Sequence, residues 1–330
     1  MVLLPRPSCA DLATDQCPSA SSLKRTFSTT EFYAARVSRG SFHMETTQMH
    51  ITQNSFEKIL EREARLFAAR SSGDGQSDRP IRLIIADFEY RWDRLRYDAY
   101  RVEEGCDAEP LIRWPFHRIA AASWLQLRID PGEDIPVIED VVVVTENEAT
   151  ESEMAERFFN ALCQAGDACL VTWGGETKDL AVLRRCANEF GLLLPPQLID
   201  GSPHARERVD LCRAVTVQAK SPHLPEYAAA TSIPAKPSPS KKIGTLVEAG
   251  AWEKVREQVL ADVMTTSVIA LRHFCSHGIV EIDRACANVA IGKAVEAAIP
   301  ESAFAVKVFR PWARDAERAS RLRGKVYRPD

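Results

Sequence analysis

No stretch of this 330-residue chain approaches eighteen consecutive apolar residues, so the sequence predicts no membrane-spanning helix. No two cysteines stand in a CxxC arrangement. The nine cysteines (Cys9, Cys17, Cys106, Cys163, Cys169, Cys186, Cys212, Cys275 and Cys286) are scattered and odd in number. That argues against a disulfide framework or a zinc site and for reduced thiols in a cytoplasmic protein. The chain lacks an excess of positive charge. Its formal net charge of −4 argues against indiscriminate coating of nucleic acid and leaves room for a local basic groove around an acidic centre. Internal repeats are absent, and Met1-Val2-Leu3-Leu4 is too short for a signal-peptide core. What remains is ordinary for a globular protein: 45% hydrophobic and 27% charged residues, with length for one large domain or two modest ones.

Residues 1–50 carry clustered Ser and Thr, few aliphatics and no periodicity, which predicts disorder; Met44 is an alternative start. Residues 51–79 read as a helix (Phe56 to Ala69) and a polar linker. Beyond them, apolar runs predict strands at Ile81–Tyr90, Tyr97–Val102, the first half of Pro115–Leu127, Ile138–Thr145 and Ala168–Trp173. Helical spacing marks Glu151–Ala165, with Met154, Phe158 and Leu162 inward, and Asp179–Leu192. From Arg206 the pattern is mostly helical: Pro222–Ala230, Leu246–Ala251, Trp252–Phe274 and Ile279–Ala298. Three prolines between Pro234 and Pro239 make the intervening segment a loop. From Lys307 to Asp330 there are eight Lys or Arg against three acids, a basic tail suited to phosphate or to solvent. Strands alternating with helices predict an α/β fold, one mixed sheet flanked by helices with a helical C-terminal part.

The stretch Ile81-Arg82-Leu83-Ile84-Ile85-Ala86-Asp87-Phe88-Glu89 carries the chemistry. Residues two apart on a strand share a face, so Asp87 and Glu89 project together from its exit. Two like charges that close suit a hard divalent cation between them, or a strand that ends in a solvated acidic turn. Asp179 follows a strand and a glycine pair in Trp173-Gly174-Gly175-Glu176-Thr177-Lys178-Asp179. Asp262 lies in the longest helical run, where Val259, Val263, Val268 and Leu271 face the core. A carboxylate near that face is costly without a metal or partner.

In this order the motifs resemble the DEDD superfamily of 3′–5′ exonucleases, which have a ribonuclease H-like fold, and most closely the bacterial predicted 3′–5′ exonucleases related to the proofreading domain of B-family DNA polymerases. Asp87-Phe88-Glu89 fits the first motif. Trp173 to Leu192 resembles the second. Leu224-Pro225-Glu226, Ile233-Pro234-Ala235-Lys236 and Ala261-Asp262-Val263 fit the third. The resemblance covers roughly residues 80–275, with 276–330 left as a helical extension with the basic tail. It implies two-metal phosphodiester hydrolysis at nucleic-acid 3′ ends, with Asp87, Glu89, Asp179 and Asp262 as catalytic residues and as ligands of two Mg²⁺ or Mn²⁺ ions. The implied partner is a single-stranded or frayed end, DNA ahead of RNA, with Trp92, Trp114 and Trp124 as candidate stacking groups. The chain departs from the family at four positions. The usual Tyr four residues before the last aspartate is Gln258, and a His five before it is Glu257. Gly174 replaces Asn, and Lys178 replaces Phe. Gln cannot accept a proton, so a second reading is a nucleic-acid-binding module of the same fold with weak or lost catalysis.

Overall fold

The computed structural model describes residues 79–200, 207–216, 218–236 and 242–322. The predicted disorder over 1–50 and the helix from Phe56 to Ala69 lie outside the described residues. Five strands form one mixed sheet in the order β3-β2-β1-β4-β5. They are β1 (Ile81–Trp92), β2 (His117–Ile129), β3 (Val137–Thr145), β4 (Cys169–Thr172) and β5 (Arg208–Asp210). The first three pair antiparallel, while β4 joins β1 and β5 joins β4 in parallel. Helix α1 (Arg94–Glu104) follows β1, α2 (Glu151–Gln164) connects β3 to β4, and α3 (Asp179–Phe190) follows β4. After β5 come the short helices α4 (Leu211–Thr216), α5 (Leu224–Ala230) and α6 (Ile243–Glu248). The long α7 (Trp252–Ser276), α8 (Arg284–Ala298) and α9 (Arg310–Leu322) complete the chain.

Strand alternation divides the core in two. Ile84, Ala86 and Phe88 of β1 pack with Met154, Phe158 and Leu162 of α2 and Leu180 and Leu183 of α3. Leu83 and Ile85 point the other way, into a core with Val259, Val263, Val268 and Leu271 of α7. Asp87 and Glu89 continue that second series, so the period of two carries them beneath α7. Fourteen consecutive residues of α7, Gln258 to Leu271, are buried. A helix covered on all sides is a central element, and here it runs across β1, β2 and β3.

The structure corrects two expectations and adds to a third. Tyr97–Val102, predicted as a strand, lies within α1. Asp93 caps that helix by accepting from the Arg96 N–H, and Arg101 sits over the Tyr97 ring one turn earlier, a pairing only a helix makes. The third predicted strand covers the whole of β2 to Ile129, because both its faces are buried in mid-sheet. The region after Arg206 is mostly helical as expected, and three residues of it form β5, too few to register as a pattern. Among the described residues no helix is long and apolar enough to cross a membrane.

Candidate metal centre

Across the sheet from the two acids of β1 stand small side chains. Asp87 pairs with Ser123 and Glu89 with Ala121, whereas Leu125 and Leu127 fill the core further along β2. The small pair leaves space between the sheet and α7, and into it α7 sends Asp262, only 4% exposed. Carboxylate oxygens of Asp87, Glu89 and Asp262 all lie within 4.8 Å of one another. Thus three of the four predicted acids, from β1 and from a helix about 175 residues later, meet at one point.

Asp179 stands outside this trio, at the first position of α3. Its Oδ1 accepts a hydrogen bond of 2.8 Å from the Tyr90 hydroxyl. The Lys178 ammonium sits 4.3 Å above the Tyr90 ring. Burial pushes the Asp179 carboxyl up to about 6, with Lys178 and the Tyr90 hydroxyl opposing. Asp87 is raised well above the ordinary carboxylate range, first by burial and then by the charges of Asp262 and Glu89. Asp262 is raised too, by burial, against the pull of Lys236. These are the marks of carboxylates crowded in a place short of positive charge.

The turn that delivers Asp179 explains the Gly174 departure. Gly174 has φ 76°, the left-handed region that Gly and Asn adopt most readily, so Gly serves where the family has Asn. A Cβ on Gly175 would meet the Thr172 side chain at 2.5 Å. Asp210 holds the turn from β5. Its carboxylate accepts from the N–H groups of Gly174 (2.8 Å), Glu176 (3.2 Å) and Cys212 (3.0 Å).

Lys236, six residues beyond the end of α5, also reaches the cluster. Its side chain is 4% exposed, and its Nζ lies 3.2 Å from Glu89 Oε1 and in direct contact with Asp262 Oδ2. The other oxygen, Asp262 Oδ1, is buried with no hydrogen-bond partner among the described residues, and so are both amide atoms of Gln258. Gln258 lies one turn before Asp262 and is 2% exposed, so residues four apart on one helix side carry polar atoms awaiting a partner. Glu257 is engaged elsewhere: its carboxylate accepts from the N–H groups of Ala303 and Phe304, which removes it as a base for this site. Of the tryptophans, Trp124 is buried in the core, while Trp92 and Trp114 are 51% and 41% exposed.

Sequence reasoning missed Tyr90, Asp210 and Lys236 as site residues. Lys236 stands in a segment that fits the third motif, and that position was the only available signal.

A cluster of inward carboxylates at the rim of a mixed sheet, roofed by a helix that supplies the last of them, defines a candidate hydrolytic metal centre. Residues 109–306 match the family model described as "Predicted 3'-5' exonuclease related to the exonuclease domain of PolB". That is more than half of the chain, and the chain belongs to this family, with its ribonuclease H-like fold. The matched segment contains Asp179 and Asp262 and begins after β1. No curated protein matches. Among solved structures, the family B DNA polymerase from the archaeon Pyrobaculum calidifontis is similar at 13% identity and TM-score 0.41, over 67% of this chain and 30% of that one. A structure of exonuclease I is similar at 14% identity and TM-score 0.37, over 60% and 41%. Escherichia coli exonuclease I in complex with a 5cy-dA13 oligonucleotide is similar at 13% identity and TM-score 0.36, over 60% and 40%. The chain spans less than half the length of each.

Proposed function

We propose that this protein is a divalent-metal-dependent 3′–5′ exonuclease that shortens single-stranded or frayed nucleic acid, DNA before RNA. The observation that carries this reading is the convergence of carboxylate oxygens of Asp87, Glu89 and Asp262 within 4.8 Å of one another, with Asp262 Oδ1 buried and without a hydrogen-bond partner among the described residues. The donor set fits the metal that the family implies: every ligand atom is a carboxylate oxygen, the preference of Mg²⁺ and Mn²⁺. Asp87, Glu89 and Asp262 would hold it, with Asp179 completing the set from α3. A bound ion supplies an acidified water and a counter-charge for the leaving 3′ oxygen.

The chain's own groups do the rest. The water oxygen bonds to phosphorus while the bond from phosphorus to the 3′ oxygen breaks. The water gives up one proton to solvent and the leaving 3′ oxygen takes one up, leaving a nucleoside 5′-monophosphate and a strand shorter by one residue. Gln258 orients the water through its amide and takes no proton. The exposed faces of Trp92 and Trp114 are suited to stacking bases of the incoming strand. Residues 80–275 are the proposed nuclease domain and 276–330 its helical extension. The seven described cysteines are all free thiols, which supports a cytoplasmic location.

The test uses 3′-labelled DNA and RNA oligonucleotides with purified protein in EDTA, Mg²⁺ or Mn²⁺. Stepwise shortening from the 3′ end that requires the metal is expected, reduced about a thousandfold by Asp87→Ala, as for loss of several kcal/mol of metal-borne transition-state stabilisation. Shortening that is indifferent to metal or to Asp87→Ala sinks the proposal. Gln258 favours a second reading, a binding module with little turnover. Retained binding without cleavage, and cleavage gained in Gln258→Tyr, would establish that reading instead.

A further inference from the structure

The last turns of α7 run past the buried stretch that ends at Leu271, and a cavity lies beside them. Ile269, Arg272, His273 and Ser276 recur at helical spacing, so one face of α7 supplies all four to its lining. Val215 of α4, Tyr227 of α5, Ile233 and Arg284, the first residue of α8, line it too. Its volume is about 420 Å³, within the range of roughly 300–1,000 Å³ that small-molecule sites occupy.

The charge here is the reverse of that at the acid cluster. No Asp or Glu lines the cavity, whereas two guanidiniums do. Two imidazoles, His273 and His277, line it as well and lie with ring centroids 4.0 Å apart. Arg272 donates to the Thr231 carbonyl at 2.8 Å, which uses one of its five N–H groups. Burial, and then the Arg284 charge, hold Arg272 below its ordinary value, the response of a cation that faces another cation. Arg284 forms no ion pair among the described residues. The neighbouring Asp283 caps α8 instead, its Oδ1 accepting from the N–H groups of Ala285 (2.8 Å) and Cys286 (3.0 Å).

We infer that this cavity is a second binding site and that its ligand is a nucleoside monophosphate. A phosphate monoester carries nearly two negative charges at neutral pH, which two guanidiniums match. An internal phosphate of a strand carries only one. The planar fork of arginine pairs with two phosphate oxygens at once. Val215, Ile233 and Ile269 with the Tyr227 ring offer the base an apolar surface, and Tyr227 is held by the Trp173 ring, centroids 5.1 Å apart. The site is separate from the acids. Ile269 and Ser276 lie seven and fourteen residues beyond Asp262 on α7, about 10 and 21 Å along its axis. The inference goes beyond the exonuclease reading and does not depend on cleavage; on that reading the ligand is the reaction's own product.

The test is calorimetric titration of deoxyadenosine 5′-monophosphate into the full chain at pH 7.5 and low salt, in EDTA so that the acid cluster has no metal through which to hold a phosphate. One molecule per chain is expected. Arg284→Ala changes an exposed side chain and is expected to fold as wild type and bind about tenfold more weakly, as for one lost charge-assisted contact. Arg272→Gln keeps a donor for the Thr231 carbonyl and is expected to weaken binding by a similar factor. Deoxyadenosine and inorganic phosphate are each expected to bind at least about tenfold more weakly than the nucleotide, since each makes half of the contacts. No binding, binding unmoved by either arginine variant, or equal affinity for deoxyadenosine or for inorganic phosphate overturns the inference. So does a thymidine tetranucleotide without terminal phosphates whose binding falls about tenfold in Arg284→Ala, which would place the strand in the cavity. Failure of the labelled-strand assay to show cleavage would leave these titrations, and the site they report, standing.

Discussion

Two clusters of charge lie in this fold, and they are built on different terms. In the first, Arg118 donates to Asp93 (3.0 Å), Glu151 (3.1 Å) and Glu189 (2.6 Å). Arg185 joins Glu151 and Glu189, and Arg96 joins Glu189 at 2.7 Å. Three guanidiniums meet three carboxylates, and the cluster ties the start of β2 to the start of α2 and the end of α3. In the second, four carboxylates share a single ammonium in contact and another nearby. A matched set completes itself and serves the fold. An unmatched set is costly until something arrives to complete it, and it marks where the chemistry is done.

The difference can be broken most forcefully at Arg118. Arg118→Met leaves three carboxylates without their main cation and is expected to cost about 3–5 kcal/mol of stability, read by urea unfolding, with Mn²⁺ affinity unchanged within twofold. A loss of metal binding equal to the loss of stability would mean that the two clusters are one. A smaller effect is expected at Asp210. Asp210→Ala strips three N–H groups of their acceptor, costs about 2 kcal/mol, and loosens the Gly174 turn. Here kcat should fall more than stability alone explains, because Asp179 loses its placement; kcat unchanged at temperatures where the variant is folded would deny Asp210 that part.

The subtlest contrast is in pH. Partial desolvation alone would raise the Glu189 carboxyl, yet Arg118 and Arg185 hold it below its ordinary 4.5. A depressed carboxylate stabilises the fold above its unfolded value, and that contribution is lost as pH falls through the folded value. Asp179 runs the opposite way. Its folded value of about 6 exceeds the ordinary 3.8, so the native state holds the proton more tightly. Its contribution is present below about 3.8 and is lost as pH rises towards 6. In EDTA, Asp179→Asn should therefore remove a decline in stability between roughly pH 4 and 6, by up to about 3 kcal/mol, and Arg118→Met should flatten the loss below pH 4.5. Unfolding curves collected across that range check both signs.

Much of the second cluster was legible from residue order, because its acids obey local periodicities. The spacing of Asp87 and Glu89 on an apolar strand and the helical series around Asp262 each define a face without reference to anything distant. What could not be read depends on contacts across the chain. Lys236 reaches Glu89 over 147 positions, and Tyr90 reaches Asp179 over 89. Glu257, open as a base from its position alone, is drawn off by backbone N–H groups of residues 303 and 304. The α1 segment misled because its aromatic and aliphatic residues suit a strand, while the Asp93 cap that decides for a helix is a single side chain. Asp210 sits on a strand of three residues, too short to announce itself.

The indole of Trp312 reaches back across 80 positions to the Ser232 carbonyl, four residues before Lys236, and the N–H groups of residues 303 and 304 hold Glu257, one residue before Gln258. The last sixth of the protein is thus a scaffold strut for the chemistry rather than an appendage to it. A chain ended after residue 275 would keep every acid and lose the fixture that aims the lysine among them.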